Sequence, residues 1–192
     1  MKKLHYNSPV ILTFFLVSLT ALLLGLATGG WTNTHLFSVY RSPMTPLFFV
    51  RLFGHVLGHA GWDHFMGNML LLLVVGPPME EKYGSKTLLV GILLTAVISG
   101  ALQCLFFPGT LLLGASGIVF MLIMLSSLAG MKNGSVPITL ILVALLYMGK
   151  EVYAALFVQS LSLIHIYAVV PLLYIHQIPL VRVAALKYTS LD

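Results

Sequence analysis

The sequence predicts an all-α membrane protein, a single bundle of about six transmembrane helices. Three observations carry this. Of the 192 residues, 59% are hydrophobic and only 8% are charged, whereas a soluble domain carries about a quarter charged residues. Such a chain cannot cover itself with solvated surface. Its apolar residues fall into segments separated by Gly, Pro and charged residues. The length accommodates one domain of about six spans at ~20 residues each with short loops.

Taken in order, the first span covers Pro9 to Thr28. The preceding Met1-Lys2-Lys3 imitates a signal peptide, but the apolar run has the length of a span and no small-x-small cleavage site follows. A polar and aromatic stretch, Gly29 to Val50, comes next, with Trp31, Tyr40, Arg41, Pro43 and Pro46. Arg51 to Gly58 is short and half apolar, which predicts an interfacial or re-entrant piece. The second span runs from Asp63 to Val75 and is expected to stop at Gly76-Pro77-Pro78. The third occupies Thr87 to Phe106 and ends at Pro108-Gly109. The fourth starts near Leu112 and ends at Gly130; Met121 and Met124 on it read as packing or lipid contact. The fifth covers Val136 to Met148, and a last apolar region runs from Val152 to Ile175.

The net charge of +5 is scattered over loops and forms no stripe, so it sets topology and does not mark nucleic-acid binding. With the N-terminus inside, the inner segments hold Lys2, Lys3, Lys82, Lys86, Lys132, Arg182 and Lys187, and the outer ones Arg41, Arg51 and Lys150. That bias predicts a cytoplasmic N-terminus. Ser116 and the pair His64 and Asn68 then fall near the outer ends of their spans, at similar depth on one side. The single cysteine, Cys104, excludes an intramolecular disulfide and reads as packing.

Polar groups at membrane depth are costly and mark function or interhelical bonds. Ser116 stands among small residues, Gly114-Ala115-Ser116-Gly117, at the start of an apolar run. His55 and His59, and again His64 and Asn68, are four apart, a spacing that shares a helix face, with Gly61 between the pairs. Acyl transfer requires a nucleophile, a base and oxyanion donors. Ser116 suits the first; its own N–H in a helix N-terminal turn, with His64 and Asn68, suits the last. The bland readings are a serine that permits close packing and an interhelical bond through His64 and Asn68. An i,i+4 histidine pair could bind zinc, but only Asp63 stands near as a third ligand, so no metal is expected. Glu80-Glu81-Lys82, taken alone, is a solvated inner loop.

These residues resemble the rhomboid family of intramembrane serine proteases. The family pattern H-x3-H-x4-H-x3-N stands here as His55, His59, His64 and Asn68, and G-x-S-G as Gly114 to Gly117. The junction after the second span, with Gly76, Glu80, Tyr83, Gly84 and Ser85, is also similar, and the likeness covers Arg51 to Gly130. The resemblance implies that Ser116 is the nucleophile, that His64 and Asn68 line the oxyanion site, and that Gly114 and Gly117 contact substrate. It implies structural roles for His55, His59 and Glu80. Transmembrane proteins would be the substrates and the bilayer the surroundings, with no cofactor. A bacterial plasma membrane, with the site toward the outer side, is expected by analogy.

The sequence departs from the family in two places. Val50-Arg51 stands where Trp-Arg is frequent. The family's base is a histidine of the sixth helix in a His-x-x-Gly pattern. Here the available histidines are His165 and His176; His165 is followed by Ile166-Tyr167-Ala168, and no glycine occurs after Gly149. His176, between prolines, is the poorer base. The expected organisation is therefore a rhomboid-like membrane domain over 1–159 and an atypical segment over 160–192, an incomplete or non-native sixth helix. Two readings follow: a Ser116–His165 dyad, or an inactive rhomboid-like protein that binds transmembrane helices. A small transporter or metal-handling protein is a third class.

Overall fold

A computed structural model describes residues 6–129 together with Ile138, Ile141, Leu142, Val143, Leu145, Leu146 and Gly149. His165, His176 and the expected sixth helix lie outside the described residues, as does most of the fifth; its described positions are helical.

Helix α1 (Pro9–Ala27) begins with proline in its first turn, where the missing N–H costs nothing. The next donors, Val10 N–H and Ile11 N–H, go to the two carboxylate oxygens of Glu80, each at 3.0 Å. The helix ends at Thr28, and Gly29 and Gly30 turn the chain with φ of 59° and 88°. Short α2 (Trp31–His35) follows, then a loop to α3 (Pro46–Gly54), again opened by proline. Helix α3 buries Phe48, Arg51 and Leu52 and exposes Leu47, Phe49, Val50 and Phe53. The interfacial piece thus lies earlier than Arg51 to Gly58, and His55 is already its C-cap.

Helix α4 (Trp62–Tyr83) runs through Pro77 and Pro78, eight residues beyond the expected stop at Val75. The prolines remove two hydrogen bonds, but packing holds the next turn in register. An added Cβ at Gly76 would stand 2.6 Å from Ile11 Cδ1, so α1 and α4 are in close contact there, and Glu80 is pinned to the start of α1. The break falls instead at Gly84, φ 82°, from which α5 (Ser85–Phe106) starts. Helix α6 (Ser116–Ala129) is buried on most of its circumference, through Ile118, Val119, Phe120, Met121, Leu122 and Leu125. It packs chiefly on α4, with α5 beside it and α1 on the far side of α4.

The outward faces of α1, α4 and α5 carry exposed Leu16, Leu23, Leu70, Val74, Leu89 and Leu93, while Ser18, Asn68, Thr95, Ser99 and Gln103 are buried. Grease outside and polar groups inside is the pattern a bilayer selects. Helices α1 and α5 are long and apolar enough to cross a membrane.

Candidate active site

The bundle has two ends. At one, Glu80 joins α1, α4 and the Ser85 hydroxyl, which donates to Oε1 at 2.7 Å, and Lys82 Nζ donates to the Ala129 carbonyl at the C-terminus of α6. At the other end stand the N-termini of α4 and α6 and the chain between α1 and α4.

The segment before α6 is pinned extended. Val39 and Leu112 exchange backbone hydrogen bonds of 2.9 Å as an isolated bridge, and Gly114 N–H donates to the His55 carbonyl at 2.8 Å. Gln103 Nε2 reaches the Phe107 and Thr110 carbonyls and Thr110 Oγ1. These bonds explain why α6 starts at Ser116 and not at Leu112: four residues of apolar sequence are held in bridge and turn. Gly114 sits at φ +129°, a conformation L side chains rarely adopt, and a Cβ there would lie 2.8 Å from His64 Cε1.

That point on Gly114 measures the centre of the site. His64 Nε2 is 2.9 Å from it and Ser116 Oγ 3.9 Å. The side chains of His64 and Ser116 therefore converge on one glycine from α4 and α6. Ser116 is the first residue of α6, and Val119 N–H closes on the Ala115 carbonyl. The Ser116 N–H thus belongs to the turn whose donors have no partner within the helix. Ala60 N–H donates to His64 Nδ1 in a long bond of 3.4 Å. Nδ1 is then the acceptor, so neutral His64 carries its proton on Nε2, the nitrogen facing Gly114. One turn on, Asn68 is buried and spends one amide N–H on the His64 carbonyl at 2.9 Å, leaving the second in its inventory. Gly117 has Thr95 Cγ2 at 3.8 Å from its missing Cβ, ordinary contact.

His55 and His59 do not share a helix face; His55 caps α3 and His59 lies in the loop before α4. Both are buried. His55 Nδ1–H donates to the Leu52 carbonyl, and Nε2 faces the Ser99 hydroxyl at 3.2 Å. His59 Nδ1–H donates to the Leu57 carbonyl, and its ring meets those of His64 and Phe65 edge to face. Behind them the buried Arg51 guanidinium donates to Tyr40 Oη and Ser42 Oγ and covers the Tyr40 ring. Sequence reasoning missed Thr95, Ser99 and Gln103. Their signal was legible: three polar residues at i, i+4, i+8 in an otherwise apolar span put one polar stripe toward the bundle interior.

Burial lowers both imidazoles from 6.5 to about 4; two backbone carbonyls oppose the shift at His55, and nearby His64 adds to it at His59. The native loop keeps both rings neutral. As pH falls below about 6.5 the unfolded chain binds these protons first, so stability is complete above that pH and is lost toward pH 4. Fully buried His55 alone contributes a loss of about 3 kcal/mol across this window. Thermal unfolding in detergent at about pH 7.5 and about pH 4.5 checks this: the melting temperature is expected to fall at the lower pH, and an unchanged value refutes neutral burial.

Comparison with known proteins agrees with this architecture. The Rhomboid domain profile matches residues 47–178. Rhomboid-related protein 2 of Mus musculus is 40% identical over 74 residues, 38% of this chain and 24% of that protein. Rhomboid-related protein 1 of Caenorhabditis elegans is 41% identical over 75 residues, 38% of this chain and 20% of its own length. Rhomboid protease GlpG of Pectobacterium atrosepticum is 28% identical over 144 residues, 73% of this chain and 51% of that protein. The chain thus spans about half the length of GlpG and a quarter or less of the other two. With most of its length under one family profile, this all-α, multi-span integral membrane protein belongs to the rhomboid family.

Proposed function

We propose that the chain is an intramembrane serine endopeptidase that cleaves peptide bonds in or beside transmembrane segments of other membrane proteins. The observation that carries the reading is the convergence of His64 Nε2 and Ser116 Oγ on Gly114. Ser116 Oγ attacks the substrate carbonyl carbon while its proton passes to the base, His165. Negative charge gathers on the carbonyl oxygen and is met by the Ser116 N–H, His64 Nε2–H and the second Asn68 N–H. The intermediate collapses to an ester on Ser116; the base returns the proton to the leaving amine, and water then hydrolyses the ester by the same route. Gly114 and Gly117 would contact the substrate through their backbones, since His64 fills the space beside Gly114 and Thr95 stands beside Gly117. The substrate helix must unwind locally, since an intact helix ties up its carbonyls. Charge bias supports a cytoplasmic N-terminus with the site toward the outer side, and a bacterial plasma membrane is the surroundings expected by analogy.

The reading is tested by treating the purified chain with a serine-directed fluorophosphonate and mapping the adduct by mass spectrometry. A single adduct on the peptide containing Ser116 is expected. Absence of labelling in folded protein, or an adduct elsewhere, overturns it.

One sequence observation favours a second reading. No glycine follows Gly149, and the sequence neighbours of His165, Leu163, Ile164, Ile166 and Tyr167, are bulky. If residues 160–192 do not supply a working base, the 1–159 domain is an inactive rhomboid-like binder of transmembrane helices. Binding of a transmembrane peptide without cleavage or labelling distinguishes it.

A further inference from the structure

The chain from Gly54 to Ala60 faces the candidate site on one side and α2 on the other. Toward the site, the His55 carbonyl accepts from Gly114 N–H, and Ala60 N–H donates to His64 Nδ1. Away from it, the segment from Asn33 to Phe37 lies alongside. A Cβ at Gly54 would stand 3.0 Å from the Leu36 carbonyl oxygen, and one at Gly58 would collide with the Phe37 carbonyl and stand 2.8 Å from Phe37 Cβ. The third contact is polar: Asn33 Nδ2 donates to the His59 carbonyl at 2.9 Å. The Asn33 amide is itself held from α1. A Cβ at buried Gly25 would lie 2.9 Å from both its Nδ2 and its Oδ1, so the amide sits in a notch that exists because residue 25 is glycine.

The His59 C=O and the Ala60 N–H are the two edges of one peptide group. A trans peptide is planar, with C=O and N–H pointing opposite ways. The bond from Asn33 therefore fixes the plane whose other edge donates to His64 Nδ1. At 3.4 Å that donor bond is long, and a small rotation of the plane breaks it. Nδ1 must accept for the ring proton to stand on Nε2, the nitrogen facing Gly114. We infer that Asn33 is a positioning residue: its amide, seated against Gly25, fixes the His59–Ala60 peptide and through it the tautomer and seat of His64. The His59 ring adds to the same brace, edge to face with the His64 ring at 5.1 Å between centroids. The consequence, an oxyanion donor held in place from α1 and α2, rests on the proteolytic reading; the link from Asn33 to the His64 ring does not.

The test compares the full-length wild type with two variants in phosphatidylcholine nanodiscs. Asn33→Leu removes the donor at similar volume. Gly25→Ala keeps Asn33 but pushes its amide off the His59 carbonyl. Ring-nitrogen NMR on isotope-labelled histidine reads the tautomer, because protonated and bare imidazole nitrogens have well-separated shifts; His64→Gln assigns the signals. In the wild type the proton is expected on Nε2 of His64, and in both variants the two His64 shifts are expected to converge as the tautomers mix. Cleavage is expected to lose about tenfold in kcat at unchanged KM, as when an interaction of the transition state alone is weakened. The fraction of molecules labelled by the fluorophosphonate at its end point is expected to stay that of the wild type, which a merely structural loss would lower. Unchanged His64 shifts in the folded variants overturn the inference, and so does unchanged kcat in an active preparation. Should Asn33→Leu not fold, Gly25→Ala decides. If the wild type neither labels nor cleaves, the proteolytic reading fails, and the His64 shifts alone decide the link to Asn33.

Discussion

Ser116→Ala is expected to lower cleavage of a membrane-embedded substrate by about 10⁵-fold or more, the loss seen when a serine nucleophile is removed from a working dyad. The melting temperature is expected to stay near that of the wild type. The residue opens α6 and Ala115 supplies the capping carbonyl, so alanine leaves the helix start intact. The buried face of α6, from Ile118 to Leu125, is untouched. Removing this half-buried hydroxyl is expected to move stability by about 1 kcal/mol or less. The pairing of large activity loss with preserved fold is what separates a nucleophile from a packing serine. Removing one oxyanion donor, by contrast, costs about 10²–10³-fold. Quantitative cleavage in proteoliposomes, run beside thermal unfolding of the same preparation, gives both numbers. Retained cleavage in Ser116→Ala removes the serine mechanism; joint loss of cleavage and fold assigns the hydroxyl a structural role.

Composition and span length were enough to read an α-helical membrane bundle, because the bilayer imposes both. The i,i+4 pair His64 and Asn68 and the serine among glycines were legible for the same reason: a short-range spacing on a helix maps directly to a face. Long-range pinning was not legible. Nothing in the run Leu111-Leu112-Leu113 says that Leu112 pairs with Val39 more than seventy positions earlier and so delays α6 to Ser116. His55 and His59 keep helical spacing in sequence, yet α3 ends at Gly54 and each ring is placed by a nearby carbonyl. Pro77-Pro78 carries the strongest local stop signal in the chain, and tertiary contacts overrode it, through Gly76 against Ile11 and Glu80 against the start of α1.

That last contact has the largest expected effect on stability. Glu80 is 3% exposed, and its two oxygens take the N–H groups of Val10 and Ile11 and the Ser85 hydroxyl. One carboxylate therefore satisfies the first turn of α1, neutralises its positive dipole end and fixes α5 as it leaves Gly84. Ser8, at the N-cap, makes no side-chain cap bond, so no second group stands ready to take over. Glu80→Ala strands two buried backbone donors and is expected to cost about 3–5 kcal/mol. For a chain of this size that corresponds to a fall of about 10 °C in melting temperature. Glu80→Gln keeps one oxygen acceptor and loses the charge, so an intermediate fall is expected. The distant end provides the control: the neutral loop of His55 and His59 is bonded to its own carbonyls and to Ser99, not to α1's first turn. Hydrogen exchange at the Val10 and Ile11 amides is expected to accelerate in Glu80→Ala as that turn frays, while the loop near His59 stays protected. Equal stability of wild type and Glu80→Ala would mean that packing of Ile11 against Gly76 alone seats α1, and that the carboxylate answers to some demand other than folding.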